Sequence, residues 1–239
     1  MKGWVLTTVT MQSPDRYTDE IIPITAPLMA AYAARWEMDF DHQIITPEEY
    51  APFDNLGTAP RGTACTYASI PHRRHLLDEY EGVVFFDSDT VVMSDQLDIC
   101  TEVTPEQPIG TEPGCNAATM VLLSCDRTRH MLDLIWDTRH GFKHYQWLEQ
   151  AAYMELMGFD PEYPGDNQPP VWHAPTEWTP LRADLDPGWN AHPEWLHVLG
   201  DRPLRSLHPG GVQPYERRLA MVQEYAAASQ LRDTVSTTN

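Results

Sequence analysis

Two aspartates, one residue apart, interrupt the apolar run "VVFFDSDTVVM" from Val83 to Met93. Two carboxylates facing one point repel, and one takes up a proton unless a cation lies between them. Their oxygens are hard ligands that suit Mg²⁺ or Mn²⁺. In extended backbone, residues i and i+2 point to the same side. That spacing predicts that Asp87 and Asp89 face one point, with Ser88 turned away or lending its hydroxyl. A solvated turn after a strand would contain the same residue types, so the pair by itself leaves both readings open.

Position separates this pair from two others. Asp39–Asp41, in "MDFDH", is expected at a helix-to-strand connection, and Asp184–Asp186, in "ADLDPG", reads as turn chemistry. Asp87 and Asp89 follow directly on a strand that reads as buried. In open α/β sheets, ligands bind beyond the carboxyl ends of the strands.

The elements that must position the pair alternate through the first two-thirds of the chain. Strands are predicted at Trp4 to Thr10, "DHQIIT", "GVVFFDSDTVVM" and "CNAATMVLLS". Helices are predicted at "APLMAAYAARWEM" with Pro27 in its first turn, and at "GTACTYASIPHRRHLLDEY" with Pro71 kinking or restarting it. Gly82 is expected to end that second helix. Further helices are "DRTRHMLDLIWDTRH", with Asp126 as N-cap and Gly141 past its end, and "QWLEQAAYMELMG", closed by Gly158. The pattern predicts an α/β fold, with a mixed, mostly parallel sheet flanked by helices. Residues 161–214 hold 11 of the 21 prolines and four of the eight tryptophans, which largely excludes regular helix and predicts a loop-rich C-terminal segment. An amphipathic helix from about Glu216 to about Leu231 precedes a polar tail. One domain over 1–231 is expected, with 232–239 as the tail.

Sixteen basic against thirty-five acidic residues give a net charge of −19. Such a surface repels phosphate backbones and anionic membranes, so tight binding of duplex nucleic acid is not expected. The four cysteines form no C-x-x-C pair and read as reduced core residues of a cytoplasmic protein. "MKGWVLTTVT" reads as a first strand rather than a signal peptide, and no run approaches 18 apolar residues, so no membrane span is expected.

"YASIPHRRHLLDEYEGVVFFDSDTVV" resembles the segment leading into the D-x-D motif of GT-A nucleotide-sugar glycosyltransferases, closest to the retaining galactosyl- and xylosyltransferase-like families. In order downstream, "CNAATMVLLS" resembles their "NxGxxLL" strand and "WLEQAAYMELMG" their "W-x-[DE]-Q" helix. "LDPGWN" resembles the tryptophan–asparagine stretch, and "LHPGG" the late histidine–glycine motif. The resemblance spans roughly residues 4 to 218. It departs at Ser69, where these families often carry a phosphate-neutralising lysine, and at Ala118, where they carry glycine.

The resemblance implies a UDP-sugar donor, retention of configuration, and Mn²⁺ or Mg²⁺ held by Asp87, Asp89 and His208; imidazole favours Mn²⁺. It implies that Thr7, Thr8, Thr10 and Tyr17 meet the uracil or ribose; the missing lysine leaves its work to Arg73 or Arg74, or changes the donor preference. Gly210 and Gly211 would bring backbone amides to the diphosphate. Asn116, Trp189 and Asn190 would supply sugar contacts and an aromatic wall, and Glu149 or Gln150 would lie near the anomeric carbon. The acceptor, a small molecule, saccharide or modified base, stays open. A catalytically silent sugar-nucleotide or glycan-binding protein, and a metal-dependent phosphohydrolase, are the alternatives.

Overall fold

The computed structural model describes residues 1–12, 16–50, 64–113, 115–142, 145, 148–161, 171–193, 196–210 and 212–231. In chain order the elements are β1 Lys2–Met11, α1 Arg16–Glu20, α2 Ile22–Arg35, β2 Asp39–Ile45, α3 Pro47–Tyr50, α4 Ala64–Glu79 and β3 Tyr80–Phe86. There follow β4 Val91–Val92, β5 Ile109–Thr111, β6 Thr119–Leu123, α5 Asp126–Thr138, α6 Leu148–Leu156, β7 Arg182–Asp184, α7 Leu196–Leu199, β8 Ser206–Leu207 and α8 Tyr215–Ala228.

Six strands form one sheet in the order β2-β1-β3-β6-β5-β7. β1 pairs in parallel with β2 and β3, and β5 with β7; β6 runs antiparallel to both β3 and β5. The expected mixed, mostly parallel sheet is present. Helices cover both faces, which is why β1 and β3 read as apolar runs rather than as alternating ones. Val5, Val83 and Phe85 enter the core shared with α4, α5 and α6; Leu6, Val84 and Phe86 enter the one shared with α2 and α8.

Several local expectations are corrected. α2 begins at Ile22 with Pro23 in its first turn, so Pro27 lies inside the helix; Pro71 likewise lies inside an unbroken α4. Cys125, not Asp126, caps α5, through a reciprocal pair with Thr128. Gly141 does lie past the end of α5, in a 3-10 turn, Arg139–Phe142. The expected "CNAATMVLLS" strand is shorter, because Asn116 to Ala118 lie in the turn ahead of β6. Asp39 and Asp41 lie within β2, with Asp41 opposite Thr7. Residues 232–239 fall outside the described residues.

Gly82 does not end a helix; it sits inside β3, where an added Cβ would lie 2.2 Å from the Trp4 ring. Gly82→Ala is therefore expected to destabilise the fold by ~1–2 kcal/mol through overpacking. Chemical denaturation at equilibrium measures it, and Trp4→Ala in the same chain should remove most of the penalty.

β4 and β8 form a separate antiparallel ribbon, Val91 opposite Leu207 and Val92 opposite Ser206. β4 starts two residues after Asp89, and His208 directly follows β8. The ribbon thus carries the C-terminal segment to the carboxyl end of β3. Among the described residues, no helix is long and apolar enough to cross a membrane.

Candidate active site

β3 ends at Phe86, and the chain turns at once. The Asp87 amide donates to the Ala118 carbonyl at 2.8 Å, and the Thr90 amide to the Asp87 carbonyl at 2.9 Å. The two aspartates therefore converge through a turn, not through the side-to-side alternation of a strand. α2 fixes the turn, since the buried Thr25 hydroxyl donates to the Ser88 carbonyl at 2.6 Å. Asp89 is directed inward and is 3% exposed, whereas the Asp87 side chain keeps 41% of its surface in solvent.

His208 arrives on the opposite strand of the ribbon. Its Nε2 lies 3.3 Å from Asp87 Oδ2 and 3.2 Å from Asp89 Oδ1. One ligand atom from each of the three residues lies within 4.8 Å of the others. Gly210 lies flat against the imidazole, where a Cβ would come within 2.3 Å of Cε1 and 2.4 Å of Nε2. Two hard carboxylates and one imidazole, packed into a fixed orientation, fit Mn²⁺ or Mg²⁺.

Burial alone would lower the pKa of His208, but Asp89 and Asp87 outweigh it and raise it to about 10. Burial pushes Asp89 upward, yet His208 and then Arg218 hold it below the usual carboxylate range. In the ion-free protein a proton on the imidazole therefore stands between the carboxylates, in the place a cation would take. A raised histidine pKa contributes stability that is complete below its unfolded value near 6.5 and is lost as pH rises toward 10. The lowered Asp89 pKa contributes stability that is lost as pH falls through its folded value. The ion-free melting temperature is therefore expected to decline between pH 6.5 and 10. Mn²⁺ affinity should rise up to about tenfold per pH unit over that window, because binding displaces the proton. Calorimetry in buffers of different ionisation enthalpy counts the proton released.

Around the triad, polar groups are left unmet. Asn190 adopts a left-handed φ of 59°, which asparagine tolerates better than most residues. Its amide donates to Glu112 at 3.0 Å, while its Oδ1 has no partner. Burial raises the Glu112 pKa, and Asn190 and His208 pull it back. Among the described residues, the hydroxyls of Thr8, Thr90 and Thr119 are also buried without a hydrogen bond, and that of Thr111 lies against Cys115. All lie near the sheet edge that ends in Asp87: Thr119 pairs with Phe86, Thr8 lies one residue past the Thr7–Phe85 pair, and Thr111 pairs with Met120.

The other predicted residues are distributed as follows. Thr7 donates to Asp41 at 2.7 Å, and His72 meets the same oxygen at 2.6 Å. Thr10 bonds His42 Nε2 at 2.9 Å. Tyr17 belongs to α1, its side chain outside the described residues, as is Gly211. Arg73 is fully buried, its guanidinium 4.2 Å from the Phe85 ring centroid and donating to Ser69 Oγ at 2.7 Å. Arg74 is engaged at the surface by Asp78 and Asp133. Asn116 Oδ1 accepts from the Ala118 amide, and Gln150 Oε1 from the Ala117 amide at 3.4 Å, so the start of α6 abuts the turn before β6. Glu149 is buried on α6.

One expectation meets a different arrangement. Trp189, implied as part of an aromatic wall for the sugar, is instead 1% exposed, 6.1 Å from Phe86 and 5.7 Å from Tyr32 between ring centroids, and donates to Glu102 at 2.7 Å. It backs the strand that carries Asp87. Gly210 packs on His208 along the direction an added Cβ would take. Thr25, Glu102, Glu112 and Arg218 escaped the sequence reading.

No protein-family model matches the chain, and no curated protein matches it in sequence. Solved structures do match. A glycosyltransferase involved in glycosylation of the major capsid of PBCV-1 is 13% identical over 94% of this chain and 100% of that one, with a TM-score of 0.62. The galactosyltransferase LgtC, solved with donor and acceptor sugar analogs, is 13% identical over 95% and 96%, at 0.55. The glycosyltransferase GlyE of Streptococcus pneumoniae TIGR4 is 13% identical over 99% of this chain and 63% of that one, at 0.52. The likeness is one of fold, and that fold is GT-A.

Proposed function

We propose that this GT-A chain is a metal-dependent glycosyltransferase that moves a sugar from a UDP-sugar to a hydroxyl acceptor with retention. On this reading residues 1–231 act as one cytoplasmic transferase domain. The observation that carries it is the convergence of Asp87, Asp89 and His208 beyond the carboxyl end of β3. The ring of unmet hydroxyls and the Asn190 carbonyl supports a ligand rich in hydroxyl groups.

A Mn²⁺ or Mg²⁺ held by these three residues would supply Lewis acidity toward the departing diphosphate. The chain's own residues prepare that event. Thr25 and the Ala118 carbonyl lock the aspartate turn, and Gly210 and the two carboxylates lock the imidazole. His208 would hold the ion through an unprotonated Nε2, the ring atom that faces both carboxylates. Glu149, buried at the start of α6, and Gln150, tied to the turn before β6, would orient the sugar and stabilise positive charge developing at its anomeric carbon. Asn116 and the Glu112–Asn190 pair would hold its hydroxyls. A saccharide, modified base or other small molecule would enter from the loop-rich side and present the attacking hydroxyl.

The test incubates the protein with UDP-glucose or UDP-galactose and Mn²⁺ and follows UDP release with and without EDTA. Release that EDTA stops supports the proposal. Binding without turnover would reassign the chain as a sugar-nucleotide-binding protein, and neither binding nor turnover with any UDP-sugar would end the reading.

A further inference from the structure

Once loaded, the triad adds no net positive charge: two carboxylates offset a divalent ion, and a ligating imidazole is neutral. A departing diphosphate therefore needs a cation from elsewhere. The two arginines expected for this lie apart from the triad. Arg73 is enclosed in the core beneath α4, stacked on Phe85, and Arg74 is paired on the surface between α4 and α5. Among the described residues, Arg218 is the one arginine or lysine within 4 Å of a triad carboxylate.

Arg218 belongs to the first turns of α8, which packs against α2 and β4. Its Nη1 lies 3.7 Å from Asp89 Oδ2, too far for a hydrogen bond. Its side chain is 18% exposed, and its Nε is buried with no partner. A guanidinium has five N–H donors in a rigid fork that matches phosphate oxygens. Here a largely buried fork stands beside the ion site, its Nη1 facing Asp89 beyond hydrogen-bond distance and its Nε, among the described residues, without a hydrogen bond. The amino-terminal end of α8, where helix dipoles favour anions, is capped by Pro214 without a side-chain acceptor.

We propose that Arg218 binds the diphosphate of the donor, an assignment that rests on the nucleotide-sugar reading above. The rival role is a brace for Asp89, and the two predict opposite changes in metal affinity. If Arg218 serves the phosphates, removing its charge leaves Mn²⁺ binding to the nucleotide-free protein unchanged or slightly tighter, because a like charge has gone. If it braces Asp89, Mn²⁺ binding weakens.

The experiment is calorimetry of the whole chain and of Arg218→Met, which keeps the apolar stem, with Arg218→Lys as the conservative control. Mn²⁺ is titrated alone; UDP, UMP and uridine are then titrated in saturating Mn²⁺. Expected for Arg218→Met is a loss of UDP affinity of about 10- to 100-fold, as for a lost charge-assisted hydrogen bond, with a smaller loss for UMP and none for uridine. Arg218→Lys should recover part of the loss. Equal UDP affinity in parent and Arg218→Met overturns the assignment, as does a defect confined to Mn²⁺ or one shared equally by uridine. A parent that binds no uridine nucleotide at all instead overturns the donor reading, and the role of Arg218 falls with it.

Discussion

Asp89→Ala is expected to slow UDP release by at least ~10³-fold, about 4 kcal/mol of transition-state stabilisation, and to bind Mn²⁺ too weakly to titrate. Asp89 is the buried acid of the triad, 3.2 Å from His208 and 3.7 Å from Arg218. Its loss removes a metal ligand and leaves two largely buried cations without their closest counter-charge. Breaking such a pair commonly costs about 3–5 kcal/mol, so the alanine protein should also melt earlier. Asp89→Asn keeps the shape and separates the effects, since it should fold better than the alanine variant and still fail to turn over. Asp87, with two-fifths of its side chain in solvent, should lose activity with far less change in melting. A folded Asp89→Asn protein that turns over within tenfold of the parent would remove the ion from the mechanism.

Gly210→Ala should weaken Mn²⁺ binding by about 10- to 100-fold, the range found when groups that orient a metal ligand are altered. The new Cβ would need the space of the imidazole, 2.3 Å from Cε1. Gly210 is not among the glycines with positive φ, so the backbone itself accepts alanine, and the ion-free protein should melt earlier only through the loosened pairing of His208 with the carboxylates. His208 must swing away, and the carboxylates lose their imidazole. Calorimetric titration of Mn²⁺ reads the effect directly; unchanged affinity would mean that the ring is no ligand.

The sheet was legible because its strands are bounded by turn residues and its helices by glycines such as Gly158, whose φ of +90° ends α6 as expected. The aspartates were legible for a related reason, since a buried-looking strand ran straight into them. The cause of their convergence was not. It depends on Thr25, sixty-three positions from Ser88, pulling a carbonyl into a turn. Trp189 was misread because its indole N–H finds Glu102, a partner that no local pattern announces and that lets the ring be buried. Arg218 looked like one of two adjacent arginines on an amphipathic helix, and the docking of α8 beside the ribbon selects it. Glu112 follows a three-residue strand too short to announce a site.

The ribbon of β4 and β8 has a consequence for how the protein matures. A nascent chain can assemble all six strands of the large sheet before residue 206 has left the ribosome, yet it cannot hold the ion, because the imidazole arrives with the last ribbon strand. Closing that long loop costs entropy, and an ion gripped from both sides would hold the loop shut much as a cross-link does. A chelator should therefore loosen the C-terminal third first, and that opening should register as faster hydrogen exchange in β8 and α8 while β1 and β3 stay protected.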